Sequence, residues 1–241
     1  ELDTIEADPG SLDEIVDRYL DSPEFGETVR DLHNDTLLMR SERGNFFPVR
    51  DALADLRDAD GDLGAGAISR DMMRTALRLA EYVVIADRPY SEIVTADYVV
   101  GNPTMHAVWG DGESVQVGQG DNAFSVVAGL TLDRTDALYA DDTAEPFAIY
   151  RWADGRGPAG VLSTNAFMTR YESNGGNYHR GRANAASRAF LCFDFLDQPV
   201  VLDESGGVNL ADPDEVLTEV SNPDSPCWGC HSQLDPLASY F

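Results

Sequence analysis

Five consecutive residues near the C-terminus, Cys227-Trp228-Gly229-Cys230-His231, carry the clearest chemistry in the chain. Two thiols three residues apart on one helical turn can each form a thioether to a porphyrin vinyl group. A histidine directly after the second thiol then points its imidazole at the iron from the same side. The spacing C-x-x-C-H is the pattern of c-type haem attachment. It predicts one covalent haem c held by Cys227 and Cys230, with His231 as the proximal iron ligand. Two other chemistries use the same residues. A zinc site would need a fourth ligand, which Cys192 could supply to complete a Cys3His set. A redox dithiol of the thioredoxin kind would need a βαβ setting, and none is visible around residue 227.

Only ten residues follow His231, and none is Met or His. A sixth iron ligand from this chain must therefore lie upstream, among His33, His106, His179, Met39, Met72, Met73, Met105 and Met168. Met72 and Met73 fall in an amphipathic pattern where core packing is the simpler role. His179 ends the polar, Gly-rich turn Asn174-Gly175-Gly176-Asn177-Tyr178-His179 just before a long helical pattern, and it is the leading distal candidate. His106 and Met105 share a second loop. Low-spin ligation on both faces would suit electron transfer, whereas an open face would suit peroxide or small-gas chemistry.

Asp58-Ala59-Asp60-Gly61-Asp62 briefly resembles the start of a Ca2+ loop, because alternating carboxylates can converge on one cation. Leu63 stands where the turn glycine belongs and Ser69 replaces the bidentate Glu, so a solvated acidic loop is the better reading and Ca2+ the lesser one. Cys192 lies in Phe190-Leu191-Cys192-Phe193, whose apolar neighbours predict a buried, inert thiol. No G-x-S-x-G elbow, P-loop or dinucleotide fingerprint occurs. With 43 Asp plus Glu against 17 arginines and no lysine, the net charge is −26. That charge repels nucleic acid and anionic lipid, and it favours cationic proteins, metal ions or neutral ligands. A salt-adapted or GC-rich source would produce the same excess of Asp and Arg.

The elements that must position the motif read mainly as helices. Ser11 with Glu14 forms a capping-box pattern ahead of Ile15, Val16, Tyr19 and Leu20. Ser22-Pro23-Glu24 starts a second helix, with Pro at the first helical position. From Ser69, the residues Met72, Met73, Ala76, Leu77, Ala80, Val83 and Val84 fall on one side of a helix that stops before Arg88-Pro89. Gly110–Gly129 mixes Gly, Asp and Asn with Val and Phe, which suggests loops and a short β-hairpin. Helical patterns return at Thr164–Tyr171, Arg180–Leu196 and Asp212–Val220, and Asn222-Pro223-Asp224-Ser225-Pro226 forms a rigid turn that delivers Cys227. The fold class is therefore mainly α: an irregular helical domain with Gly-rich loops and a C-terminal haem-binding segment. The expected division is 1–155, with a Gly/Asp-rich region at about 110–155, and 156–241, one continuous domain being the alternative. No run of about 18 apolar residues is present to span a bilayer, and no basic, then apolar, leader pattern opens the chain.

The ending Cys227-x-x-Cys230-His231-Ser232-Gln233-Leu234-Asp235-Pro236-Leu237 resembles the C-terminal haem-motif segment of large exported bacterial proteins of planctomycetes and myxobacteria. These carry domains of unknown function alongside planctomycete-type cytochrome c modules. Upstream, Arg88-Pro89-Tyr90-Ser91-Glu92-Ile93-Val94-Thr95-Ala96-Asp97-Tyr98 with Asn102 is similar to that family's RPxxxLLxADYxxxN stretch. Gly160-Val161-Leu162-Ser163-Thr164 with His179-Arg180-Gly181 is similar to its GLLT…RG stretch, and Asp21-Ser22-Pro23-Glu24-Phe25 to an early SPxF helix start. These patches span most of residues 20–237, while 111–155 match none of the family's stretches. The resemblance implies export to the periplasm or outside the cell, a single c-haem, and relatives that continue past Phe241. It implies no activity of its own. The resulting expectation is a monohaem cytochrome that passes electrons to a redox partner protein outside the cytoplasm, more an electron carrier than a catalyst. The alternatives are a haem-bearing structural subunit of a homo-oligomer or larger extracellular assembly, and a haem-dependent oxidoreductase.

Overall fold

A computed structural model describes residues 2–40, 65–101, 109, 114–117, 124–127, 130–136, 147–176, 178–197, 209 and 211–241. The Asp58–Asp62 loop, Met105 and His106 lie outside these residues. The chain forms two compact units, Glu1–Arg170 and Tyr171–Phe241. The described elements are mostly helical, as the sequence patterning predicts, and no helix among them is long and apolar enough to cross a membrane.

The first unit is built around one helix. Helices α1 (Leu2–Ala7), α2 (Ser11–Leu20) and α3 (Pro23–Leu37) precede α4 (Ala65–Ile85), which is followed by the short α5 (Glu92–Thr95). The predicted stripe is realised, since Met72, Met73, Ala76, Leu77, Ala80 and Val83 are buried. Leu79, Glu81 and Tyr82 are buried as well, so α4 is covered on more than one side. It packs against α3, the strand β1 (Val99–Gly101), the 3-10 turn Gly160–Ser163 and helix α6 (Asn165–Arg170). A helix enclosed in this way needs partners for any charge it carries. Glu81, with no solvent exposure, is bonded by Arg30 of α3 and by Arg78 Nη1 at 3.0 Å.

At the helix starts, Ser22 caps α3 as predicted, its Oγ accepting from the Phe25 N–H at 3.2 Å, with Pro23 in the first turn. The expected Ser11 capping box does not form. The Ser11 hydroxyl donates to the Asp8 carbonyl at 2.7 Å, and the Asp8 carboxylate takes the Gly10 N–H at 3.0 Å, so the turn before α2 satisfies itself.

The expected hairpin region holds the antiparallel pair β2 (Ser114–Val117) and β3 (Phe124–Val127). A second, three-stranded antiparallel sheet, in the order β1-β5-β4, was not foreseen; it adds β4 (Leu130–Asp136) and β5 (Phe147–Trp152). Ala148, Ile149 and Tyr150 of β5 are buried, and the β4–β5 register shifts between Leu132 and Arg134. The boundary between units also differs from expectation, falling after Arg170 rather than after residue 155. The reason is the packing of Gly160–Ser163 and α6 on α4, reinforced by Arg170 Nε, which donates to the Leu38 carbonyl at 2.8 Å.

The segment after α4 is pinned by Glu92. Arg88 donates to its two oxygens at 3.1 and 3.0 Å, and the Tyr98 hydroxyl donates to it as well. Burial alone would push the Glu92 carboxyl up, but the bonds from Arg88 and Tyr98 outweigh it and hold the group below the ordinary carboxylate range. Next to it, Gly160 adopts φ +53° and donates its N–H to the Ala96 carbonyl at 3.1 Å. A Cβ there would lie 2.1 Å from the Ile93 carbonyl oxygen, so only glycine fits.

The second unit begins with α7 (Arg180–Ala186), which runs into a π-helical turn, Ser187–Leu191, and a 3-10 turn, Phe195–Asp197. The predicted helix over Arg180–Leu196 is thus broken. Asn184 is the cause: its side chain accepts from the Phe195 N–H at 2.8 Å and donates to Asp194 at 2.9 Å, while Ser187 Oγ donates to the Phe193 carbonyl at 2.7 Å. Helix α8 (Pro213–Ser221) is capped by Asp212, which accepts from Asp214 and Glu215 N–H groups. Helix α9 (Trp228–Ala238) packs on both α7 and α8. Ala183, Phe195, Leu234 and Ala238 form the small core, with Cys230, Leu237 and Phe241 against it.

Two outcomes test this fold. Gly160→Ala is expected to cost about 3 kcal/mol, combining positive-φ strain with the clash at Ile93, read as a lowered thermal midpoint. Glu92→Gln is expected to cost about 1 kcal/mol at neutral pH. Because the folded carboxyl titrates below its unfolded value, that contribution is present above the ordinary carboxylate range and disappears as pH falls through the lowered folded value. Denaturant curves for wild type and variant should therefore converge as pH falls through and below the ordinary carboxylate range.

Candidate functional site: the Cys227–Asp235 turn

Three local interactions present the motif. The Asn222 side chain accepts from the Asp224 N–H at 3.1 Å, its carbonyl accepts from the Ser225 N–H at 2.9 Å, and the buried Ser225 hydroxyl accepts from the Cys227 N–H at 3.2 Å. The predicted rigid turn is therefore a chain of side-chain caps, and it places Cys227 immediately before the first turn of α9. Cys227 and Cys230 are free, partly buried thiols at i and i+3, which share a side of the helix.

His231 follows, with its side chain 25% exposed. One turn later on the same face stands Asp235, whose two oxygens lie 3.1 and 3.2 Å from His231 Nδ1. Arg180, the first residue of α7, grips the same carboxylate from the neighbouring helix: Nε to Oδ1 at 2.6 Å and Nη2 to Oδ2 at 2.9 Å. The Tyr178 ring lies against the Arg180 guanidinium, 5.7 Å from centroid to carbon. Burial pushes the Asp235 carboxyl up, but the bonds from Arg180 and His231 prevail and hold it below the ordinary carboxylate range. An ionised carboxylate only accepts hydrogen bonds, so Nδ1 is a protonated donor to Asp235 and Nε2 is the ring nitrogen left over for a metal.

This arrangement fits a haem. Thioether attachment needs two separate thiols on one side of a turn, and iron needs a neutral imidazole nitrogen with a fixed ring orientation. Cys227, Cys230 and His231 supply both, with Asp235 fixing the tautomer. The zinc arrangement is not assembled: among the described residues no three His, Cys, Asp or Glu side chains are placed to hold one metal ion.

The other ligand candidates separate by their surroundings. His33 uses both ring nitrogens, Nδ1 on the Val29 carbonyl at 2.7 Å and Nε2 on the Tyr90 hydroxyl at 3.0 Å, as a packing histidine does. Met39, Met72 and Met73 are core residues of the first unit. His179 stands at the start of α7 with φ +70°, its Nδ1 meeting Ser173 Oγ at 2.6 Å and Arg182 Nη1 at 2.9 Å. A guanidinium only donates, so Nδ1 of His179 accepts and Nε2 of the neutral ring carries the proton. Iron ligation through Nε2 would require the other tautomer and the loss of the Arg182 bond.

Sequence reasoning passed over Asp235 and Arg180. The signal was present as a carboxylate four residues after the motif histidine, a helical i,i+4 spacing. The partner from α7 had no local signal.

Cys192 is exposed, not buried. The bonds from Asn184 and Ser187 draw Phe193–Phe195 back onto α7, and the chain passes through Cys192 at φ +54°, turning Leu191 and Cys192 outward. A thiol reagent added to the native protein is expected to modify Cys192 ahead of Cys227 and Cys230, and Cys192→Ser should lose the fast phase; a fast phase retained in that variant would contradict the placement. No protein-family model, no curated protein and no solved structure matches this chain.

Proposed function

We propose that the chain is a monohaem c-type cytochrome that passes electrons outside the cytoplasm. The observation that carries this reading is the C-x-x-C-H turn at the start of α9 together with the Asp235 bond that leaves His231 Nε2 as the coordinating nitrogen. Cys227 and Cys230 would hold the porphyrin through thioethers, and His231 would be the proximal ligand. When bound, the haem supplies a one-electron Fe(III)/Fe(II) couple. The protein's own work is to orient and tune. Asp235 sets the His231 tautomer, Arg180 fixes Asp235, and Trp228, about one-third exposed, lies in the motif turn where it can shield a haem edge. The net charge of −26 favours a cationic redox partner. The resemblance to exported haem-motif proteins supports a periplasmic or extracellular setting.

Expression with a c-type maturation system, followed by a pyridine haemochrome spectrum, tests the reading. One thioether-linked haem per chain is expected, with covalent attachment abolished in Cys227→Ala/Cys230→Ala. Absence of the thioether α-band from the wild type, or stoichiometric zinc in its place, would overturn the assignment.

A further inference from the structure

Resting on that reading, we infer that Asp235, clamped by Arg180, is a positioning residue that makes His231 a strongly basic proximal ligand and biases the iron toward its ferric state. The geometry is specific. A histidine bonded to a neutral carbonyl keeps the character of an ordinary imidazole. A histidine whose Nδ1–H points at an ionised carboxylate, here at 3.1 and 3.2 Å, gains electron density on Nε2 and donates more to the metal. More donation stabilises the higher oxidation state, so the reduction potential falls. The carboxylate is ionised because Arg180 reaches it with two bonds in the paired geometry that guanidinium and carboxylate share.

The same clamp explains why the charge is tolerated. Asp235 lies in the last turn of α9, where the helix dipole opposes a negative charge, and it is only about one-third exposed. The cation from α7 offsets that cost and fixes both oxygens, so the carboxylate cannot rotate away from His231. Arg180 thereby links the fold of the second unit to the electronics of the site. Loss of Asp235 would leave Arg180 partly buried without its carboxylate, which makes the pair a structural tie as well.

The test compares wild type, Asp235→Asn and the double variant Asp235→Asn/Arg180→Gln, all matured with haem. Two quantities are read: the midpoint potential by spectroelectrochemistry, and the iron–histidine stretching band of the ferrous five-coordinate form generated by photolysis of the carbon monoxide adduct. Asp235→Asn is expected to shift the one-electron equilibrium toward the ferrous state by roughly tenfold, a rise of about 59 mV, and to lower the stretching frequency. The double variant removes both charges together and leaves no unpaired ion, so it serves where the single variant does not fold. Its potential should rise less, because the two long-range charges cancel, while its stretching band should fall as in Asp235→Asn. A merely structural role would not move that band. Haem bound at wild-type stoichiometry with an unchanged potential and band in Asp235→Asn overturns the inference alone, as does an unchanged band in the double variant. A wild type without thioether-linked haem overturns this inference and the haem reading together.

Discussion

The second unit depends on one carboxylate. Asp235 is bound by a residue of its own helix, His231, and by the first residue of α7, Arg180. Among the described residues the apolar cluster where α7 meets α9 is small: two alanines, a phenylalanine and a leucine, with Cys230, Leu237 and Phe241 against them. Such a core cannot fix the rotation of a helix about its own axis with much precision, since alanine faces slide past one another at little cost. A bidentate guanidinium–carboxylate bond can, because it has direction as well as energy. The contact that aligns the helices is thus also the contact that orients the motif histidine.

The first unit solves the converse problem. There the apolar supply is ample, and α4 is enclosed by α3, β1, α6 and the Gly160–Ser163 turn. The difficulty is the charge that enclosure traps. Glu81 sits inside with no exposure, and Arg30 and Arg78 both reach it. Burial of a single carboxylate with two cations costs desolvation and yields register: α3 and α4 can meet in only one way that pairs Arg30 with Glu81. Both units therefore use an Arg–carboxylate contact between helices to set geometry that apolar packing leaves loose, one deep inside and one at a surface site.

How much of this was legible beforehand follows the range of the interactions. The helices of the first unit were readable because a 3.6-residue apolar period is local, and Ser22 with Pro23 marked a helix start correctly. The motif and the turn before it were readable for the same reason. The three-stranded sheet was not, because β1 and β5 pair across more than forty residues and β5 is a short apolar run that periodicity cannot assign. Ser11 failed as a cap because its hydroxyl is spent donating to the Asp8 carbonyl, while the Asp8 carboxylate takes the Gly10 N–H. Cys192 was misplaced because its apolar neighbours suggested burial, whereas a single buried asparagine eight residues earlier decided the path of the chain. In the site itself, His231 was evident and Asp235 was one helical turn away, but Arg180 lies 55 residues upstream and only the fold joins them.

Under the haem reading, the position of these groups also constrains the face of the iron opposite His231. On that reading Cys227, Cys230, His231, Asp235 and Arg180, which would make up the proximal side, all lie within Tyr171–Phe241. That unit contains no methionine and, besides His231, only His179 among histidines. His179 is held with Nδ1 accepting from Arg182, the reverse of the tautomer that Asp235 imposes on His231. The two histidines of the unit are thus held in opposite ways: His231 donates from Nδ1 to Asp235, whereas His179 accepts at Nδ1 from Arg182. A haem held here would have one axial ligand prepared and the other opposed, which would place its control on the His231 side. The electronic character of His231, set by Asp235, then matters more than it would in a centre with two equivalent axial ligands.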